Sequence, residues 1–318
     1  MTYEVFVVSC IPEGGIFRYE LNQEGMLSFL DRTLLQEPMY LIRQQEEFYA
    51  VLKQCFADGS GGMQKLIRSS NGSLVPDGET ISTRGGVPCH LCLWDSKVYC
   101  ANYATGSIIC LPDHVVTHHG SSVHPTRQDK AHVHFVCVTP DKRYLAAVDL
   151  GMDQIVTYDK DLKRIFTSSL PPGSGARHLA FSQDGTYAYC VGELAGTVTV
   201  LRYQNGKFLP LETYSLLPSD YIGKNLAAAV RRWEDTLYVS NRGHDSIARF
   251  LIRGQKLIPL GWFDCGGREP RDFEITKEWI LCTNQTGNCV TVLDRETGEQ
   301  VHQIKVNQPL GVVIGSKE

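Results

Sequence analysis

A repeat of 43 to 48 residues constrains this chain more than any other feature of its sequence. Five segments follow one plan: "PCHLCLWDSKVYCANYATGSIICL", "AHVHFVCVTPDKRYLAAVDLGMDQIVTYD", "GARHLAFSQDGTYAYCVGELAGTVTVLRY", "NLAAAVRRWEDTLYVSNRGHDSIARFLI" and "EPRDFEITKEWILCTNQTGNCVTVLD". Each has a short opener, an alternating strand, a turn, a second strand closing on a polar residue, a Gly or Asp turn, and a third strand. The closing polar residue serves as an anchor: Asn102, Asp149, Glu193, Asn241 and Asn284, with weaker equivalents at Ser9 and Cys55. The seven anchors are separated by 46, 47, 47, 44, 48 and 43 residues. Three or four strands per unit at this period, with hardly any helical pattern, predict β-propeller blades and exclude helical repeats of similar length.

The ends predict how the ring closes. Openers fall at Pro38, Pro88, His132, Ala176, near Leu226, Pro270 and Pro309, and Pro38, His132 and Ala176 each lie 17 residues before their anchors. The last opener has 9 residues after it and the first anchor has 8 before it. The C-terminal "PLGVVIG" is therefore expected to supply the inner strand of the blade begun by "YEVFVVS", leaving no open sheet edge at the seam. The expectation is an all-β, seven-bladed propeller forming a single domain over residues 1–318.

Because the two innermost strands of a blade run antiparallel, openers and anchors share one rim of the central channel. That rim is predicted to gather His90, His132, His134, Arg177, His178 and Arg271 from openers, and Asn102, Asp149, Glu193, Asn241 and Arg242 from anchors. Six of the ten histidines lie in "HVVTHHGSSVHPTRQDKAHVHF", His114 to Phe135, read as a lid-like loop over 114–130 followed by an inner strand. Their spacing matches no zinc signature, so no metal site is expected. A histidine pair at the channel mouth suits a general base or a ligand-orienting role; the structural alternative is a pair satisfied by backbone groups. Three arginines from three blades converge where singly each would read as an inter-blade ion pair, and together they suit an anion. Glu193 could hold Arg177 in place or act as an acid or base.

Composition excludes several classes. A net charge of −4 without blocks leaves no footprint for nucleic acid or anionic membranes, and no apolar run approaches the ~20 residues of a membrane span. Eleven cysteines without a pair of C-x-x-C knuckles, most of them in alternating apolar segments, are expected to be free thiols. "MTYEVFVVSC" reads as a first strand rather than a signal peptide, so a cytoplasmic location is expected. There is no G-x-S-x-G elbow, no phosphate-cradling loop and no H-E-x-x-H.

The segments "PCHLCL…ANYATGSI", "AHVHFVCVTPD…VDLGMDQI", "GSGARHLAFSQDGTYAYCVGELAGTVTV" and "LYVSNRGHDSI" resemble the seven-bladed propeller family of 6-phosphogluconolactonases and carboxy-muconate cyclases, from about Pro38 to Pro309. The resemblance implies lactone chemistry without metal or cofactor. It implies catalytic roles for His134, Arg177, Glu193 and Arg242, and matches His132, His90 and Asn102 to the surrounding polar positions. The chain departs from the family's usual residues at Ala176, where proline is usual, and at Asp272, where histidine is common. The expected mechanism has His134 or His132 as base on water, Arg177 at the oxyanion, and Glu193 orienting or charging that pair. Arg242 and Arg271 would hold the substrate's phosphate or carboxylate, with His178 also substrate-binding. The expected substrate is a small anionic sugar lactone, 6-phospho-D-glucono-1,5-lactone foremost. The alternatives are another anionic lactone, or a propeller that only binds a ligand or protein.

Overall fold

In the computed structural model, which describes residues 2–316, the segments with alternating apolar residues pair into seven antiparallel sheets, and the described residues contain no helix. The innermost strands are Pro309–Ser316, Pro38–Gln44, Pro88–Trp94, Val133–Val138, Ala176–Phe181, Leu226–Trp233 and Pro270–Ile275, numbered here as blades one to seven. Each packs against the next, and Pro270–Ile275 packs back on Pro309–Ser316, so the ring closes. Blade one joins the two ends of the chain: Tyr3 pairs with Ser316 and Ser9 with Pro309.

No single core holds the ring together. Seven apolar clusters lie one at each blade interface, for instance Tyr99 and Ile108 of blade three against Val136 and Tyr158 of blade four, and Val5 and Val7 of blade one against Leu281 and Val290 of blade seven. A middle strand is therefore covered on both faces and reads as a nearly continuous apolar run, as in Tyr187–Gly192, whereas the outermost strand Lys207–Ser215 is mostly exposed. The exposed edges of blades five and six carry Pro210 and Pro259 beside a register shift, which blunts them against pairing with another chain.

One irregularity recurs in all seven blades. The innermost strand slips register near its start, leaving unpaired Leu310, Met39, Cys89, His134, Arg177 with His178, Ala228 with Ala229, and Arg271. A β-bulge frees its extra residue from the ladder and re-aims its side chain. Here it equips the channel mouth.

The strand register corrects two anchors. Leu52, not Cys55, closes the second strand of blade two, and Gly192, not Glu193, closes that of blade five. The asparagine anchors are buried brackets: Asn102, Asn241 and Asn284 donate from Nδ2 to the carbonyls of Thr83, Leu216 and Cys265, at 3.0, 3.0 and 3.5 Å, each on the segment entering its blade. Residues 114–130 are also not one loop. His114–Thr117 forms the outer strand of blade three, and the rest is pinned: His118 lies between Asp149 (2.7 Å) and the Tyr158 hydroxyl (2.6 Å), and Gln128 donates to the Leu150 carbonyl at 2.8 Å. Gly151 admits this segment, since a Cβ there would sit 1.9 Å from the Lys130 carbonyl.

Candidate active site

The channel mouth holds a cavity of about 250 Å³. Its lining comes from two structural positions that repeat around the ring. The bulges supply Met39, Cys89, His134 and Arg271. The residue just past the anchor supplies Tyr103, Glu193 and Arg242, while Val87 and Arg127 come from connections between blades. Larger grooves of about 820 and 600 Å³ lie away from it on the outer wall, along blades four to six, and gather no comparable set of basic, acidic and imidazole groups.

Glu193 organises the mouth. Its Oε1 takes Arg127 Nη2 at 2.5 Å, and its Oε2 lies 2.8 Å from Arg177 Nε and 3.0 Å from Arg242 Nη2. The Arg177 contact is close but poorly aligned; the firm hydrogen bond of that side chain runs from Nη1 to the Ala228 carbonyl, 2.8 Å. Burial alone would raise the Glu193 carboxyl, but Arg242, Arg177 and Arg127 outweigh it and bring it to about 2. Glu193 is a fixed anion among cations, and a poor proton acceptor. Arg177 is lowered to about 9, by burial first and then by Arg242. Arg271 is lowered by the same two causes, and among the described residues it makes no ion pair and a single side-chain hydrogen bond, to Gln285 Oε1 at 3.3 Å. It is the cation left over for a ligand.

His134 is 5% exposed, and its Nδ1 has no hydrogen-bond partner among the described residues. Burial, then Arg177, Arg271 and Arg242, hold it well below the usual imidazole range, so it is neutral at physiological pH. His132 has a different environment. Its Nδ1–H donates to the Tyr103 carbonyl at 3.0 Å and its ring stacks on that of Tyr103, centroids 4.5 Å apart, so it stands behind the lining.

The remaining sequence candidates separate by depth. His90 and His178 sit one residue deeper along their strands than Cys89 and Arg177, in a belt where Tyr40, His90, Phe135 and His178 pack ring against ring at 4.5, 4.1 and 5.0 Å. Burial is the first cause that brings His90 to about 3 and His178 well below its usual value. In blades six and seven Arg231 binds Asp272 at 2.8 Å and Glu274 at 2.9 Å. Asn102 reaches no part of the cavity. Among the described residues no three His, Cys, Asp or Glu side chains gather as a metal-binding group, and all eleven cysteines are free thiols.

Tyr103, Arg127, Met39 and Cys89 were absent from the sequence reading. The first had a usable signal, because it follows Asn102 as Arg242 follows Asn241. Arg127 had none, since its connection carries no repeat.

The family model for "Lactonase, 7-bladed beta-propeller" matches residues 5–314. An uncharacterised protein of Staphylococcus aureus is 35% identical over 315 residues, covering 90% of each chain. Two solved structures, each 27% identical, superimpose closely. The periplasmic gluconolactonase of Pseudomonas aeruginosa has a TM-score of 0.91 and 99% of each chain covered. A candidate 6-phosphogluconolactonase of Bacteroides fragilis has a TM-score of 0.88, with 99% of this chain and 98% of that one covered.

Proposed function

Because the chain belongs to the lactonase family of seven-bladed β-propellers, we propose that it hydrolyses a small anionic sugar lactone, 6-phospho-D-glucono-1,5-lactone foremost. One observation carries this reading: a neutral imidazole lines a small cavity together with three guanidiniums and one carboxylate, and a fourth guanidinium, Arg177, lies buried against that carboxylate. Such a site offers a base for water and an excess of cations for an anionic substrate and a developing oxyanion. The His134 imidazole takes a proton from water as its oxygen attacks the lactone carbonyl. Arg242, fixed by Glu193 and lining the cavity, faces the charge that grows on the carbonyl oxygen, with Arg177 adding its charge from behind the same carboxylate. Arg271 and Arg127 hold the phosphate or carboxylate. An anion bound there offsets the charges that depress His134, so its basicity rises on binding. The unpaired thiols support a cytoplasmic location. No helix of the described residues is long and apolar enough to cross a membrane.

The test is a coupled assay of freshly generated 6-phosphogluconolactone and, in parallel, unphosphorylated gluconolactone, with and without chelator. Turnover of the phosphorylated substrate unaffected by chelator supports the proposal. No turnover of either would leave a propeller that only binds. Arg271→Gln is expected to raise KM for the phosphorylated lactone roughly 10- to 100-fold while sparing kcat, the loss of one hydrogen-bonded charge contact.

A further inference from the structure

Water attack is half of the chemistry of a lactone. The ring C–O bond must then break, and its oxygen departs as a sugar alkoxide, a poor leaving group that needs a proton at that moment. His134 is occupied as the base, and Arg177 and Arg242 are committed to Glu193. A second group placed at the ring oxygen would supply that proton directly, without the imidazolium having to move from the attacking water's side.

Resting on the lactonase reading above, we propose that Tyr103 is the acid: its hydroxyl protonates the ring oxygen as the tetrahedral intermediate collapses. Tyr103 lines the cavity beside His134, with ring centroids 5.7 Å apart and planes at 79°. Two groups so close suit the carbonyl carbon and the ring oxygen, which are adjacent atoms. Arg127 Nη2 donates to the Tyr103 oxygen at 3.3 Å, and among the described residues the hydroxyl proton has no acceptor. That proton is free for a ligand, and the guanidinium stands where a phenolate would need a counter-charge. The ring is fixed from behind by His132, which stacks on it and also binds its backbone carbonyl, making His132 a positioning residue. The position past the anchor directs a tyrosine inward in blade three as it directs Glu193 and Arg242 in blades five and six.

The protons balance. Water gives one to His134 and keeps one on the new carboxyl group. The C–O bond breaks, its electron pair goes to the ring oxygen, and that oxygen takes the Tyr103 proton. His134 then reprotonates the Tyr103 phenolate through solvent, and the carboxylic acid releases its proton to water.

Tyr103→Phe keeps the ring that stacks on His132 and removes only the hydroxyl. The variant is compared with the wild-type protein on two lactones, 6-phosphogluconolactone, whose leaving group is an alkoxide, and a carboxylated dihydrocoumarin, whose phenolate leaves unaided. The expected result is a fall of about 10²-fold or more in kcat on the sugar lactone, the usual scale of a lost acid, with KM within about 2-fold. Activity on the aryl lactone should stay within a few-fold. An equal fall on both lactones would show that Tyr103 only orders Arg127, and no fall on either would show that the hydroxyl is idle; each overturns the proposal. Wild-type protein inactive on both lactones would sink the lactonase reading instead, an outcome distinct from these.

Discussion

Around Glu193, three guanidiniums share one carboxylate and Arg271 stands beside them unpaired, whereas one layer deeper Arg231 is shared by two carboxylates, Asp272 and Glu274. The upper group carries four positive charges against one negative, and the lower one positive against two negative. The consequences run in opposite directions. Above, the carboxylate is pulled down to about 2 and Arg177 is pushed down. Below, Asp272 and Glu274 are raised, by burial first, and Arg231 is raised because its two anions outweigh burial. Only the upper group faces a cavity with charge left uncompensated. The lower one ties blade six to blade seven and leaves Asp272 Oδ2 buried without a hydrogen-bond partner among the described residues. Charge imbalance toward open space marks the functional cluster, and the mere presence of buried ion pairs does not.

The largest test of this contrast is Glu193→Gln. It leaves three guanidiniums, Arg177 buried and Arg242 and Arg127 partly exposed, without their shared anion, and breaking the buried pair in this way costs about 3–5 kcal/mol. Thermal or urea unfolding should register that loss together with loss of turnover; a variant as stable as the wild type would break the comparison.

A smaller effect per group comes from acid. His90, His134 and His178 are held below their ordinary range in the folded chain. A depressed imidazole binds its proton more readily unfolded, so its contribution is complete above about pH 6.5 and is lost as pH falls toward the folded value, about 3 for His90. Each group should cost up to about 1.4 kcal/mol per pH unit in that window. Urea midpoints followed from pH 7.5 to 5 test this, and His90→Gln should flatten the slope by one group's share.

The smallest effect is expected below. Replacing Arg231, Asp272 and Glu274 together by Met, Leu and Leu should leave turnover within about 2-fold and stability within about 1 kcal/mol, since a buried ion cluster can be exchanged for packed apolar side chains. A large loss of activity would mean that the lower layer shares in the chemistry.

The repeat made the ring legible before any coordinates, and with it the gathering of His134, Arg177, Glu193, Arg242 and Arg271, because the period alone brings openers and anchors to one rim. The register within a strand was less legible. Gly192 has no side chain to mark it as the anchor, so the glutamate beside it was read as one, and Asn102 looked like a site residue when it serves as a bracket. The sequence placed His132 and His134 as a pair at the channel mouth. The bulge between Val133 and Phe135 separated them, and a bulge is an irregularity in pairing that no single strand's sequence spells out.

Those bulges give the ring a way to change its chemistry. A residue outside the ladder can be exchanged without disturbing strand pairing, so the mouth can be rewritten one blade at a time while the scaffold stays folded. Three of the slots, holding Met39, Leu310 and the Ala228–Ala229 pair, carry no ionisable group. They are the places where a relative could acquire a new preference by single substitutions.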